Sequence, residues 1–338
     1  MEPHTAHDQL TELVRLATKA PSSHNTQPWR FELRDGSVRV RADTDRWLEV
    51  ADRDQRELYI SLGCAVENLV IAARREGFGP EVALEADSDT GETVAAVSFG
   101  RRNEGRGVAE GRGAPHDDRP GGLDLFAEIP RRRTSHRPFD GRRLPARELD
   151  LLRDACDGHG VELALLDDEE SVRRVADLSA EADREQFDDP AWRRELGRWI
   201  GRGVLGARWP VSRIAQAVVT NVNMGESTAG KNAALIAGAP SVGILWTHTD
   251  THDDHVRAGR AYERIALAAS AMGIATHPVS QALEVPRLKD RLATLLPVAD
   301  AVPHHVFRMG YATDEDRATP RRRPEQMIET GRKEDRAP

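Results

Sequence analysis

The chain has 338 residues, 39% of them hydrophobic, which is enough for one large domain or two average ones with a substantial core. A formal net charge of −8 excludes a general nucleic-acid surface, which needs a concentrated basic stripe to release phosphate counterions. The polar first ten residues lack an export signal, the most apolar run (233–246) is broken by Gly238 and Pro240, and Cys64 and Cys156 have no metal or redox spacing, so the sequence predicts a cytoplasmic protein without a membrane span.

Residues 8–19 place Leu10, Leu13, Val14 and Ala17 at helical spacing and stop before Pro21. After Pro28 the period becomes two: Trp29, Phe31 and Leu33 alternate with charges, Asp35-Gly36 makes a turn, and Val38 and Val40 return, which is a β-hairpin. From 57 to 77 apolar or small residues cover nearly every helical face, as in a helix buried all round. Residues 101–122, rich in Gly, Arg, Asp and Pro, have no hydrophobic period and read as a flexible connector between a first half (1–100) and a second (123–320).

The second half opens on Arg131-Arg132-Arg133-Thr134-Ser135-His136-Arg137-Pro138-Phe139 and a helix begun by Pro145. A strand follows at 161–166, then charged helices over 171–213, a buried strand at 241–247 and a helix over 252–273. A constant offset of 196 matches this last helix with the earlier one at Gly63/Gly259, Ala65/Ala261, Glu67/Glu263, Ala72/Ala268, Ala73/Ala269 and Gly77/Gly273. Two Ala-rich helices can share residues by composition alone, so the match needs a second repeated feature.

That feature comes from the motifs. Ala20-Pro21-Ser22-Ser23-His24-Asn25-Thr26-Gln27-Pro28-Trp29 is, as composition, a polar turn between a helix and a strand. Its order closely resembles the A-P-S-S-x-N-x-Q-P-W signature of FMN-dependent nitroreductases. Arg133, Ser135 and Arg137 share one face of an extended chain, where two guanidinium forks flank a hydroxyl and suit a phosphate monoester. On spacing alone a solvated basic face competes with that reading; together with Phe139-Asp140 and the following helix, the segment is similar to the family's phosphate motif. Arg132 is the alternative in a one-residue shift of register.

In ordinary members both motifs lie near the start of one subunit, and each flavin sits at the dimer interface. Here the first half has the Pro21–Asn25 loop without the arginines, and the second has the arginines without the loop. The resemblance, specifically to the Acg-type branch, implies an α+β nitroreductase-like fold in which two related halves, each with an antiparallel-type sheet flanked by helices, form an intramolecular pseudo-dimer. One composite FMN site and a functional monomer follow. Pro278, Ser280 and Gln281 are similar to the family loop facing the flavin near N5. Arg321, Arg322 and Arg323, at the start of a basic tail (321–338), resemble its last phosphate contact. The implied set is Pro21, Ser22, Ser23, Asn25, Gln27, Arg132, Arg133, Ser135, Arg137, Pro278, Ser280, Gln281, Arg321, Arg322 and Arg323, with no catalytic side chain, because the cofactor does the chemistry.

The expected activity is hydride or electron transfer from NAD(P)H through FMN to a small organic acceptor. The alternative is a flavin-sequestering protein whose insertion (181–224), carrying Trp192, Trp199 and Trp209, lies over the cofactor; these tryptophans read equally as helix-packing residues. Gly201-Arg-Gly-Val-Leu-Gly206 follows a helical pattern instead of a strand and is not read as a dinucleotide site. Asp250, Asp253, Asp254, His248, His252 and His255 are read as a helix N-terminus, and no metal is expected.

Overall fold

A computed structural model describes residues 6–86, 93–101, 120–206, 209–313 and 318–329. Most of the expected connector therefore lies outside the described residues. Helix α1 (Ala6–Ala17) buries Leu13, Val14 and Ala17 and leads through the motif loop into the hairpin β1 (Trp29–Arg34) and β2 (Ser37–Ala42), in register from Trp29↔Ala42 to Arg34↔Ser37. The turn falls at Gly36, whose φ of 68° is unstrained only for glycine. Helix α2 (Arg56–Arg75) and strands β3 (Phe78–Leu84) and β4 (Ala95–Arg101) complete the first half.

The second half runs α3 (Leu125–Glu128), α4 (Ala146–Cys156), β5 (Glu162–Leu166), α5 (Glu169–Asp188), α6 (Pro190–Gly201), α7 (Val211–Asn221), α8 (Gly225–Ala237), β6 (Ser241–Thr247), α9 (His252–Ala271), β7 (Ala275–Pro278), α10 (Pro286–Ala293) and β8 (Val302–Gly310). Its sheet, ordered β5-β6-β8-β7, is wholly antiparallel. The fold is the expected α+β arrangement of two sheets with helices, with one departure. The other sheet is ordered β3-β4-β2-β1-β9, and β9 (Ile328–Glu329) comes from the C-terminal stretch and pairs parallel with β1, so this sheet is mixed. Met327, buried, anchors the crossing: its carbonyl accepts from Phe31 N (2.8 Å), and Trp29 Nε1 lies 3.2 Å from its sulfur.

Helices α2 and α9 cross at the centre of the main core, buried on almost every side as the sequence predicts. Their contact is reciprocal. A Cβ at Gly63 would lie 2.1 Å from Val256 O, and a Cβ at Gly259 would lie 2.0 Å from Ile60 O. The offset of 196 that pairs Gly63 with Gly259 also pairs Ile60 with Val256, so the two helices meet as equivalent elements do across a two-fold axis. Cys64 sits in this contact, its thiol on Gly259 O, and burial pushes its pKa well up, as befits a core residue. Gly201–Gly206 follows α6, with no strand before it.

Candidate functional site

The motif loop is held in an unusual backbone. His24, Asn25 and Gln27 all have positive φ (47°, 52° and 53°), a region that asparagine and histidine enter more readily than glutamine. Such strain, about 1–3 kcal/mol per residue, persists where surrounding contacts over-determine it. They do so here. Gln27 N bonds Ser22 Oγ (2.9 Å), Ser23 N reaches Ser61 Oγ on α2 (3.3 Å), and Arg322 donates from its backbone to Gln27 Oε1 (2.7 Å) and from its side chain to Gln27 O (3.0 Å). Asn25 Nδ2 donates to Val204 O (2.6 Å) and Pro320 O (2.9 Å), and Asn25 Oδ1 accepts from Arg321 (2.9 Å).

Around this loop the chain gathers positive charge. Arg132, buried, donates to Lys19 O (3.2 Å), and Arg321 donates to Lys19 O and Ala20 O (3.2 Å each). Burial, then Arg132 and Arg133 nearby, push Arg321 down to about 10 against the pull of Glu263. Lys19 is lowered by burial and by Arg15, Arg321 and Arg133. The nearest acid to Arg132 is Glu263, 3.5 Å from its Nε. Arg132 Nε and Nη1 and Arg321 Nε are buried with no hydrogen-bond partner among the described residues, while Glu263 has Asn68 beside it and its pKa is raised by burial against the pull of Arg132. Glu67, matched to Glu263 by the offset, is fully served instead: Arg260 (2.9 Å), Arg264 (3.2 Å) and His159 (3.4 Å) surround it. Burial raises its pKa but these partners, Arg260 foremost, carry it well below the usual carboxylate range. One pseudo-equivalent position is electrostatically closed, and the other is left with idle donors.

The structure divides the predicted residues. Arg132, Arg133 and Arg321 enter the cationic group; Arg137 is exposed, and Arg133 Nη1 rests on Pro130 O and Arg132 O (both 2.8 Å). Arg322 bridges Gln27 and Asp43 (3.1 Å), whereas Arg323 is exposed, its amide on Gln326. Ser135 is buried, with its amide on Thr276 O (2.9 Å), which sets the arginine segment beside β7 and Pro278. Ser280 Oγ accepts from Val306 N (3.1 Å) and lies 3.2 Å from His305 Nδ1, itself 3.9 Å from Glu57 at the start of α2. Residues missed in the sequence are Lys19, Glu263 and Arg308. Arg308, fully buried in β8, clamps the arginine segment through Ser135 O and Arg137 O (2.9 Å each) and lies 4.2 Å from the Phe139 ring centre. A charge flanked by Val306, Phe307 and Met309 in a buried strand was its available signal.

The insertion reaches the same loop. Val204, Phe187, Trp192 and Trp199 pack with Leu48 and Ala51 of the first half, and Trp199 stacks under Arg202 (4.5 Å). Trp192 and Trp199 are packing residues; Trp209 is 79% exposed. Between this cluster and the loop, a cavity lined by Ser23, Thr26, Arg46 and Ser61 measures about 10 Å³, room for one water.

Gln281 hydrogen-bonds Asp183 on α5, which also accepts from Asn232 (2.9 Å). Burial outweighs both and raises Asp183 to about 6. A carboxyl raised on folding stabilises the native state below its unfolded pKa near 4, and that stability is lost as pH climbs through 6. Asp183→Asn is therefore expected to gain about 2 kcal/mol at neutral pH and almost nothing near pH 4, measured by urea melts at both pH values.

No protein-family model matches the chain. A Mycobacterium tuberculosis (H37Rv) protein provisionally named an NAD(P)H nitroreductase is 28% identical over 331 residues, covering 95% of this chain and 91% of its own. Another from the same strain, the NAD(P)H nitroreductase named acg, also provisionally, is 26% identical over 347 residues, 97% of this chain and 98% of its own. Among solved structures, the FMN-dependent nitroreductase NfnB of Mycobacterium smegmatis, solved with NADPH, is 18% identical with a TM-score of 0.43 over 62% of this chain and 98% of its own. A nitroreductase of Anabaena variabilis is 11% identical with a TM-score of 0.49 over 92% and 90%. The likeness first read in Ala20–Trp29, to the nitroreductases and their Acg-type branch, thus extends along nearly the whole chain.

Proposed function

We propose that this nitroreductase relative is an FMN-dependent oxidoreductase that takes hydride from NAD(P)H onto the flavin and passes it to a small organic acceptor. The observation that carries the reading is the cationic group of Lys19, Arg132, Arg133 and Arg321, with three buried guanidinium nitrogens idle, beside a strained loop of nitroreductase sequence. A doubly charged phosphate satisfies such a group; a neutral ligand leaves it repelling itself. FMN, when bound, supplies the hydride exchange. The chain's own part is to hold the phosphate with Arg132, Arg133 and Arg321 and the ring with the Ser22–Gln27 loop and the 278–281 loop, while Arg308 and Arg322 keep those segments in place. One chain contains both motif segments, so a monomer suffices. Visible absorbance after incubation with FMN and desalting tests this: about one equivalent of retained flavin is expected, and none would overturn it.

A second reading is favoured by the Val204 and Pro320 carbonyls on Asn25, which tie the insertion and the 318–329 stretch onto the motif loop. In that reading the insertion is a cover over a sequestered flavin. Trp199→Ala should loosen the cover and speed FMN uptake in stopped flow; an unchanged uptake rate counts against a cover.

A further inference from the structure

The turn before α9 meets β8. Thr247 Oγ1 gives its proton to Thr249 O (2.6 Å), so it must accept from His304 Nε2, 2.7 Å away. That fixes the tautomer of neutral His304: the proton is on Nε2 and a lone pair is on Nδ1. His304 is completely buried, its Nδ1 has no hydrogen-bond partner among the described residues, and it faces Asp250 Oδ1 at 3.7 Å. A lone pair set against a carboxylate oxygen, too far for a hydrogen bond, is a contact that a cation between them relieves. A third donor is at hand: His255 Nε2 lies 2.8 Å from Asp250 Oδ1, and the three ligand atoms lie within 4.8 Å of one another.

We propose that Asp250, His255 and His304 bind one divalent transition ion of the Zn²⁺ or Co²⁺ kind. Two imidazole nitrogens and one carboxylate oxygen are the donor set such ions take, with metal–ligand bonds of about 2.0–2.2 Å. Thr247 supplies the outer hydrogen bond that orients a ligating histidine. Neighbouring acids are engaged elsewhere: Asp254 caps α9 with Thr251, and Asp253 accepts from Ala86 N. On binding, the His255 proton moves from Nε2 to Nδ1, and the Lys289 ammonium, 2.6 Å from Asp250 Oδ2, swings away on its flexible stem. With three protein ligands and a lysine to displace, the ion is held more weakly than in four-ligand structural zinc sites. The bound ion ties the turn before α9 to β8, and through His304 O, which accepts from Arg56 (2.7 Å), to α2.

Chelator-treated full-length protein titrated with Co²⁺ should develop visible d–d absorption that saturates at one equivalent and is displaced by Zn²⁺. Asp250 is half-exposed, so Asp250→Asn keeps the fold and is expected to weaken Co²⁺ at least tenfold; Lys289→Met should tighten it several-fold. Absence of d–d absorption in the wild type, or unchanged affinity in Asp250→Asn, overturns the site. Neither readout depends on flavin.

Discussion

The Arg132→Ala/Arg321→Ala double variant is expected to fold and to lose FMN, with Kd weaker by about 10²–10⁴, which corresponds to about 1.5–3 kcal/mol for each charge-assisted contact removed. The geometry makes these two arginines, more than Arg133 and Arg137, the decisive pair: Arg132 is buried and Arg321 half-buried, both anchor the Lys19 carbonyl, and both keep guanidinium nitrogens without a hydrogen bond. Arg137, at the surface, should contribute less, so Arg137→Ala alone is expected to retain most of the flavin. Two readouts separate binding from folding. Far-UV circular dichroism should be unchanged, while the stabilisation that FMN gives the wild type, about 2.7 kcal/mol at a hundredfold excess over Kd, should vanish. Retained stoichiometric flavin in the double variant would refute the phosphate assignment.

Gly259→Ala is expected to cost at least 4 kcal/mol and to leave little folded protein. The new methyl would lie 2.0 Å from Ile60 O and 2.8 Å from Ile60 C, and both are backbone atoms of a helix buried on almost all sides. Ordinary overpacking is relieved by side-chain shifts at about 1–3 kcal/mol. Here the only relief is to part α2 from α9, and with them the core they share. Gly63→Ala, 2.1 Å from Val256 O, should fail in the same way. Gly230→Ala on α8, where a Cβ meets nothing within 4 Å, is the control and should be neutral or slightly stabilising. Thermal melts of the three variants check this; a Gly259→Ala melting temperature within a few degrees of wild type would show that the helices are not held at the observed distance.

How much of this was legible follows from the range over which each feature is encoded. The hairpin at Trp29–Ala42 and helices α2 and α9 are written in local periodicity, and the structure returns them within a residue or two. The motif loop and the arginine segment stand out in the sequence because their order is distinctive; that Arg132 is buried and Arg133 only half-buried shows in the structure alone. What the sequence hid was contact between distant segments. Nothing in Pro320-Arg321-Arg322-Arg323 tells that Pro320 O will meet Asn25 or that Arg322 will brace Gln27, and the two-residue strand β9 is too short for any period to show. Glu263 looked like one more repeat position on an Ala-rich helix; that it has one arginine at 3.5 Å where Glu67 has two closer ones and a histidine emerges only in three dimensions. His304, almost fifty residues beyond His255, could not be grouped with it from spacing.

The parallel pairing of β9 with β1 has a bearing on how the protein comes into being. Synthesis runs from the N-terminus at about 5–20 residues per second, so Phe31 waits for most of the chain to be made before Ile328 arrives beside it. Until then the first sheet has an open edge at β1, and Arg321, which joins the anion-binding group from the same stretch, has not yet left the ribosome. On the proposed reading, the nascent chain cannot use FMN as a template before Arg321 and Ile328 have been made. Flavin loading then follows closure of the β1 edge, and cofactor shortage in the cell should yield a folded, colourless pool awaiting conversion, in place of aggregated half-made chains.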